Sequence, residues 1–111
     1  MNLFKISDKI VFNTLRNIEF GYLEITNHSG ELLKFGNPRD PLKANLEIKK
    51  SNFTFNLIKG GSVGFAESYI RNEFETKNLS DLIEVTARNI NKFTNFQVYL
   101  IYHLLTFLKT L

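Results

Sequence analysis

The chain has 111 residues, of which 43% are hydrophobic and 23% are charged, and it contains no cysteine. This length suits one domain with a modest core and is too short for two domains. The lack of cysteine excludes a disulfide framework and a thiolate metal site. The net charge of +3 predicts mild attraction to an anionic surface, although a well-mixed solvated surface is the simpler interpretation. No arginine-rich run indicates nucleic acid.

The first predicted element is a helix. The opening sequence, MNLFKISDKIVF, interrupts its apolar residues with charges and offers no signal-peptide core, which predicts a cytoplasmic location. Apolar residues then recur at helical spacing as far as Ile18. This pattern predicts a helix over residues 8–18, with Ser7 or Asp8 as its N-cap.

Alternation of apolar and polar residues predicts three strands after this helix. Leu23 and Ile25 share one face of GYLEITN, and the turn-forming NHSG leads into ELLKF. Residues 22–36 are therefore expected to form a hairpin. The proline-containing NPRDP is a loop, because two prolines suit neither helix nor sheet interior. In ANLEIKK, Leu46 and Ile48 are expected to face inward on a third strand.

The following segment predicts two short helices and a short strand. SNFTFNLIKGG has the pattern of a short helix, with Ser51 as its N-cap and Gly60 at its end. A second short helix is expected over residues 62–70, where Gly64 would let it pack closely. A strand is then expected around Phe74.

Residues 78–93 carry the clearest helical period of the chain, and Asn78 is the expected N-cap. The element order is therefore helix, hairpin, strand, short helix, glycine loop, strand and helix, with the second short helix over residues 62–70 following the glycines. This order predicts an α+β fold with a small, mostly antiparallel sheet and packed helices.

The residues that most often carry chemistry do not form a recognisable site. Gly60, Gly61 and Gly64 lack the spacing of a dinucleotide fingerprint, and no Gly-Lys-Ser/Thr of a P-loop is present. His28 and His103 have no partner in any known catalytic motif, and no His-x-x-x-His metal spacing occurs. We therefore predict no catalytic, metal-binding or cofactor-binding residue in this chain.

The stretch GGSVGFAESYIRNEFETKNLSDLIEV resembles the amino-terminal domain of the cyclopropane-fatty-acyl-phospholipid synthase family. The upstream segments GYLEIT, SGELLKFG and ANLEIKKSNFTFNLI fit as well, so the resemblance covers roughly residues 21–91. In that family the region is a small non-catalytic domain, similar in architecture to the sterol carrier protein fold. It precedes a methyltransferase domain that uses S-adenosylmethionine to methylenate acyl chains of membrane phospholipids.

The sequence departs from the family pattern at two places. Arg71 and Asn72 replace an Asp-Gly pair, and because Asn tolerates positive φ the turn is expected to survive. Phe74 replaces a tryptophan and keeps a large apolar plug. The chain also stops before the methyltransferase domain would start. The sites for S-adenosylmethionine and bicarbonate would belong to that missing domain, so no cofactor and no enzymatic activity are expected from this chain alone.

The resemblance divides the chain into an amino-terminal domain, residues 1–95, and an apolar C-terminal helix, residues 96–111, that begins a linker. The candidates for lining a lipid pocket are Phe53, Leu57, Ile58, Phe65, Tyr69 and Phe74, for which plain core packing is the alternative. The candidates for contacting a membrane surface are Lys43, Lys49, Lys50 and Lys59.

The C-terminal helix has no formal charge from Phe96 to Leu108. These residues would make about 20 Å of helix, which is short of the roughly 30 Å hydrocarbon core of a bilayer. We therefore expect this segment not to span a membrane but to cause self-association or detergent binding.

The expected function is that of a non-catalytic lipid- and membrane-binding domain of a truncated cyclopropane synthase-like protein. The alternatives are a stand-alone lipid carrier and a ligand-free structural or dimerisation module. The expected partners are a phospholipid or acyl chain, an anionic membrane surface, a methyltransferase domain in trans and a second copy of the chain. The expected location is cytoplasmic and peripheral at the inner face of the membrane.

Overall fold

A computed structural model describes residues 2–93 and 109 and shows an α+β fold, as predicted. Its elements in chain order are α1 (Leu3–Leu15), β1 (Tyr22–Thr26), β2 (Leu32–Gly36), β3 (Lys43–Ile48), α2 (Phe53–Ile70), β4 (Phe74–Glu75), α3 (Leu79–Arg88) and a 3₁₀ helix (Ile90–Lys92). The core contains buried residues from all three α-helices and from one face of the sheet. The fold therefore has two layers, with helices on one side of the sheet.

The sheet has the strand order β2-β1-β3-β4. β1 pairs antiparallel with β2, β3 pairs antiparallel with β4, and β1 and β3 are parallel. The parallel pair needs only a short loop, because β2 has already returned the chain to the start of β1. The predicted hairpin over residues 22–36 and the mostly antiparallel sheet are both confirmed.

Helix α1 begins and ends earlier than predicted. Asn2 is its N-cap, and the side-chain oxygen accepts a hydrogen bond of 3.1 Å from a backbone amide of the first turn. Ser7 and Asp8, the predicted caps, lie inside the helix. The Ser7 hydroxyl donates to the Leu3 carbonyl at 2.9 Å, and the Asp8 carboxylate accepts from the Thr54 hydroxyl at 2.6 Å. The prediction of the cap was wrong because a polar residue inside a helix can bond to its own backbone or to a neighbouring helix.

The two short helices predicted after β3 form one segment with a sharp break. Gly61 has φ 56° and ψ −132°, a conformation that favours glycine and interrupts the helix. The first half of α2 is therefore residues 53–60, and the second half is residues 62–70. The N-cap position is Asn52 rather than Ser51, and its side chain makes no capping hydrogen bond.

Two details of this segment agree with expectation. A Cβ atom at Gly64 would overlap the carbonyl oxygen of Asn56, so the close approach of the two halves requires glycine at that position. Asn72 has φ 57° and ends the second half of α2 in the turn that leads to β4. Its amide donates to the Tyr69 carbonyl at 3.1 Å. The predicted turn with positive φ at Asn72 is therefore present.

Helix α3 has the predicted cap but ends before the predicted boundary. The Asn78 side chain accepts from the Asp81 amide at 3.0 Å. At the other end, the Asn89 side-chain oxygen accepts from the amides of Glu19 and Phe20 at 2.8 and 3.2 Å. Asn89 also donates to the Phe20 carbonyl at 2.8 Å. This bonding fixes α3 to the segment before β1, which sequence periodicity does not indicate.

The predicted C-terminal helix, residues 96–111, lies outside the described residues apart from Lys109. Within the part of the chain that the structure describes, no helix has the length and hydropathy needed to cross a bilayer.

Candidate functional site

A cavity of about 710 Å³ lies between the helices and the inner face of the sheet. Its floor is formed by four inward-facing side chains of β1 and β3, which are Leu23, Ile25, Leu46 and Ile48. All four are 6% exposed or less. They lie on one face because successive side chains of a strand point to opposite sides of the sheet.

The walls of the cavity are helical stripes. Val11, Phe12 and Leu15 of α1 form one wall. The two halves of α2 together form a second wall, and α3 forms a third. The lining residues of α2 and α3 are Phe53, Thr54, Leu57, Ile58, Gly61, Ser62, Phe65, Ala66, Tyr69, Ile70, Leu79, Leu82, Ile83, Thr86 and Ala87, and Ile90 and Phe93 extend the α3 wall beyond the helix. Their spacing of three and four residues places them on one side of each helix.

The mouth of the cavity lies between the second half of α2 and α3. The lining residues there are exposed, whereas the floor is buried. Ile70 is 77% exposed, Ile90 52%, Ile83 49% and Tyr69 44%. Exposed large apolar side chains that cluster at one place commonly mark an interaction or ligand site. This cluster is called the apolar mouth below.

The polar side-chain groups of the cavity lining are four hydroxyls, those of Thr54, Ser62, Tyr69 and Thr86, and Ser62 and Tyr69 lie at its exposed side. Among the described residues, no charged side chain lines it. The hydroxyl of Thr54 donates to Asp8, and that of Thr86 donates to the Leu82 carbonyl at 2.9 Å. Both donors are therefore already used. Burial raises the pKa of Asp8, and the hydrogen bond from Thr54 only partly offsets this effect.

The structure brings most of the predicted pocket residues together. Phe53, Leu57, Ile58, Phe65 and Tyr69 line the cavity. Phe74 does not line it and lies behind the wall, where it is 1% exposed. Its ring centroid is 5.0 Å from those of Phe53 and Phe65 and 5.7 Å from that of Tyr69. Phe74 thus packs against the three lining rings from behind and holds them in place.

Sequence reasoning did not assign the floor, the α1 wall or the α3 wall to the pocket. Leu46 and Ile48 were predicted to face inward, and the period of α3 was clear. These patterns indicate which residues face the core but not which of them border an unfilled space. No local sequence signal distinguishes a lining residue from a packed core residue.

The predicted membrane-contacting lysines do not form one patch. Lys43 and Lys49 lie near opposite ends of β3, about 20 Å apart at roughly 3.3 Å per strand residue. The amine of Lys49 lies 3.0 Å from Glu47 and 3.6 Å from Glu75, and the hydrogen bond to Glu47 raises the pKa of Lys49. Lys59 lies over the ring of Phe55, on the helical side of the molecule.

No protein-family model, curated protein or solved structure matches this chain. Within residues 2–93 and 109, no group of three or more acidic or histidine side chains could hold a metal ion. The geometry of the apolar cavity is therefore the main evidence about function.

Proposed function

We propose that this chain is a non-catalytic lipid-binding domain that holds an acyl chain in the apolar cavity. The observation that carries the proposal is the cavity itself, whose volume of about 710 Å³ is lined mainly by aliphatic and aromatic side chains and opens at the apolar mouth. Ligand sites usually have volumes of about 300–1,000 Å³. The resemblance of residues 21–91 to the amino-terminal domain of cyclopropane-fatty-acyl-phospholipid synthases supports the same conclusion.

The shape of the cavity suits a chain-like ligand. Lining residues extend from Leu79 to Ile90, along the whole of α3. The ten residues of α3 are about 15 Å long at 1.5 Å per residue. One leaflet of a bilayer has an acyl region of similar depth, because the whole hydrocarbon core is about 30 Å thick. A single acyl chain therefore matches the cavity in length.

The energetics favour an amphipathic ligand that binds with its tail inward. Ten buried methylene groups would contribute about 8 kcal/mol at roughly 0.8 kcal/mol each. This value sets a ceiling on affinity near 1 µM, because loss of ligand freedom must be subtracted from it. A charged headgroup would find no partner inside and would stay at the apolar mouth.

The mouth also gives a route of entry from a membrane. Ile70, Ile83 and Ile90 surround it and are exposed, so they can contact lipid while an acyl chain moves in. We therefore place the chain at a membrane surface, as a peripheral protein, and we expect it to present the bound chain to a methyltransferase domain in trans. A sterol-carrier-like mode of lipid shelter follows from the family resemblance.

The proposal is tested by calorimetric titration of the full chain with saturated fatty acids of increasing length. We expect one chain to bind per protein, with affinity rising with chain length until the cavity is filled. Ala87 lines the cavity and is exposed, so Ala87→Phe should obstruct it and weaken binding about tenfold. Arg88→Phe is the matched control, because Arg88 is exposed and does not line the cavity.

Two outcomes would contradict this proposal. The first is a wild-type chain that binds no fatty acid of any length. The second is an Ala87→Phe variant that binds fatty acids as tightly as Arg88→Phe does. Failure of all binding would instead favour a ligand-free structural module. The proposed contact with a methyltransferase domain is tested separately, by co-purification of this chain with a methyltransferase domain produced as a second chain.

A further inference from the structure

Glu73 is a buried carboxylate at the junction of α2 and β4. Only 3% of the Glu73 surface is exposed to solvent. One carboxylate oxygen, Oε1, accepts from Asn56 Nδ2 at 3.0 Å and from Ser68 Oγ at 2.7 Å. Asn56 belongs to the first half of α2 and Ser68 to the second half. A single oxygen atom therefore bonds to both sides of the break at Gly61.

The backbone of Glu73 strengthens this junction. Its amide donates to the Ser68 carbonyl at 2.9 Å. Its carbonyl accepts from the amides of Lys49 and Lys50 at 2.9 and 3.2 Å, which ties the same residue to the end of β3. Both halves of α2 are thus fixed to the sheet through one residue.

The second half of α2 needs such a constraint. Glycine at position 61 permits many backbone conformations, so the break does not by itself determine the angle between the halves. Most of the second half is exposed, and Gly64 and Ser68 are its buried residues. The same segment carries Phe65 and Tyr69, which form a wall of the cavity and part of its mouth.

We propose that Glu73 fixes the second half of α2 in place as a wall of the cavity and is therefore a positioning residue for the bound chain. The part of this inference that concerns the ligand rests on the proposed function. The part that concerns the wall does not, because it depends only on the hydrogen bonds around Glu73.

Two substitutions separate a positioning role from a general contribution to stability. Glu73→Ala removes the acceptor of both side-chain hydrogen bonds. Glu73→Gln keeps an Oε1 atom that can accept from Asn56 and Ser68, and it should restore most of what Glu73→Ala loses. Glu67→Ala is the control, because Glu67 lies on the same half of α2 and its side chain forms an exposed ion pair with Arg71 at 3.2 Å.

The first measurement is amide hydrogen exchange by NMR on the full-length protein without ligand. In Glu73→Ala, the protected amides of residues 62–70 should exchange about tenfold faster, and those of α3 should change much less. Glu73→Gln and Glu67→Ala should resemble the wild type. Equal exchange in residues 62–70 of Glu73→Ala and the wild type would overturn the inference, as would a uniform change across all helices.

The second measurement is the dependence of fatty-acid affinity on chain length. A displaced wall should flatten this dependence in Glu73→Ala, whereas Glu73→Gln should keep the wild-type profile. An unchanged profile in Glu73→Ala would contradict the ligand part of the inference. If the wild type binds no fatty acid but exchange responds as expected, the proposed function fails and the role of Glu73 as a clamp stands. If Glu73→Ala does not fold, Ser68→Ala removes one of the two bonds and is measured in the same two ways.

Discussion

The two faces of the sheet differ in burial and in polarity. On the inner face, Leu23 and Leu46 are each 5% exposed and border the cavity. On the outer face, Glu24 lies opposite Lys34 on one side and Asn45 on the other. The same strands therefore present hydrocarbon to the helices and paired polar groups to solvent, as expected for a sheet covered on one side.

The outer face carries an ion-pair cluster, whereas the inner face borders the apolar cavity. Lys49 lies between Glu47 and Glu75 on the outer face. Protein interiors are normally packed as densely as organic crystals. The cavity of about 710 Å³ over the inner face is instead open to the surface at the apolar mouth. The comparison places the apolar cavity over the inner face and charged side chains on the outer face, so the proposed binding is tested by variants of the two faces.

The largest expected effect on stability comes from comparing an inner-face and an outer-face residue of β4. Phe74 is 1% exposed and pairs in register with Ile48, while the adjacent Glu75 is exposed and pairs with Glu47. Phe74→Ala should lower the free energy of unfolding by about 3–5 kcal/mol. Glu75→Ala should lower it by no more than about 1 kcal/mol, because it removes an exposed ion pair. Urea denaturation measures both values, and similar losses would contradict the assignment of the two faces.

The second test concerns the wall above the inner face. A Cβ at Gly64 would overlap the Asn56 carbonyl oxygen, whereas a Cβ at Gly60 meets no atom within 4 Å. Gly64→Ala should therefore destabilise the protein by about 1–3 kcal/mol. Gly60→Ala should be neutral or stabilising by up to about 1 kcal/mol, because alanine favours a helix. Thermal melts of the two variants compare them directly, and a stable Gly64→Ala variant would show that the halves of α2 can separate.

Periodicity in the sequence was sufficient to predict most of the fold. Alternation placed Leu23, Ile25, Leu46 and Ile48 on the inner face, and the tolerance of asparagine for positive φ predicted the turn at Asn72. The positions that periodicity could not predict depend on contacts between distant residues. The bonds of Asn89 to the segment before β1 span about 70 positions in the chain.

The candidate site was predictable only in part. Phe65 and Tyr69 were assigned to a pocket, but the opposite wall on α3 was not. The burial of Glu73 was also missed, because an acidic residue in the run Arg71-Asn72-Glu73 has no local feature that predicts it. Its burial depends on Asn56 and Ser68, which approach each other only after the chain breaks at Gly61.

The third test uses pH to compare two partly or fully buried acids. Burial alone would raise the pKa of Glu73, but the hydrogen bonds from Asn56 and Ser68, with the charges of Arg71 and Lys50, lower it below the ordinary value of 4.5. The unfolded chain then binds the proton more readily. The contribution of Glu73 to stability is therefore full above about pH 4.5 and is lost as pH falls through the folded-state pKa.

Asp8 should behave in the opposite way. Burial raises the pKa of Asp8 above its ordinary value of 3.8, so the folded state binds the proton more readily and stability falls as pH rises through that range. Denaturation midpoints measured across the acid range should show a weaker acid-induced loss in Glu73→Gln than in the wild type. Asp8→Asn should show a steeper one. Parallel pH curves for the wild type and both variants would contradict these assignments.

The smallest expected effect concerns the lysines of the outer face. If the apolar mouth contacts the membrane, the helix layer of about 10 Å separates Lys43 and Lys49 from the lipid surface. Charges are screened over about 8 Å at physiological ionic strength, so each lysine should contribute less than the roughly 1 kcal/mol of a cation at the surface. In vesicle co-sedimentation, Lys43→Ala and Lys49→Ala should therefore reduce binding to anionic lipid by less than about fivefold. Ile70 lies at the apolar mouth, is 77% exposed and would contact lipid through its apolar side chain. Ile70→Ser should therefore reduce binding to anionic and neutral vesicles alike. A lysine variant that abolished binding, beside an Ile70→Ser variant that retained it, would place the membrane on the outer face of the sheet.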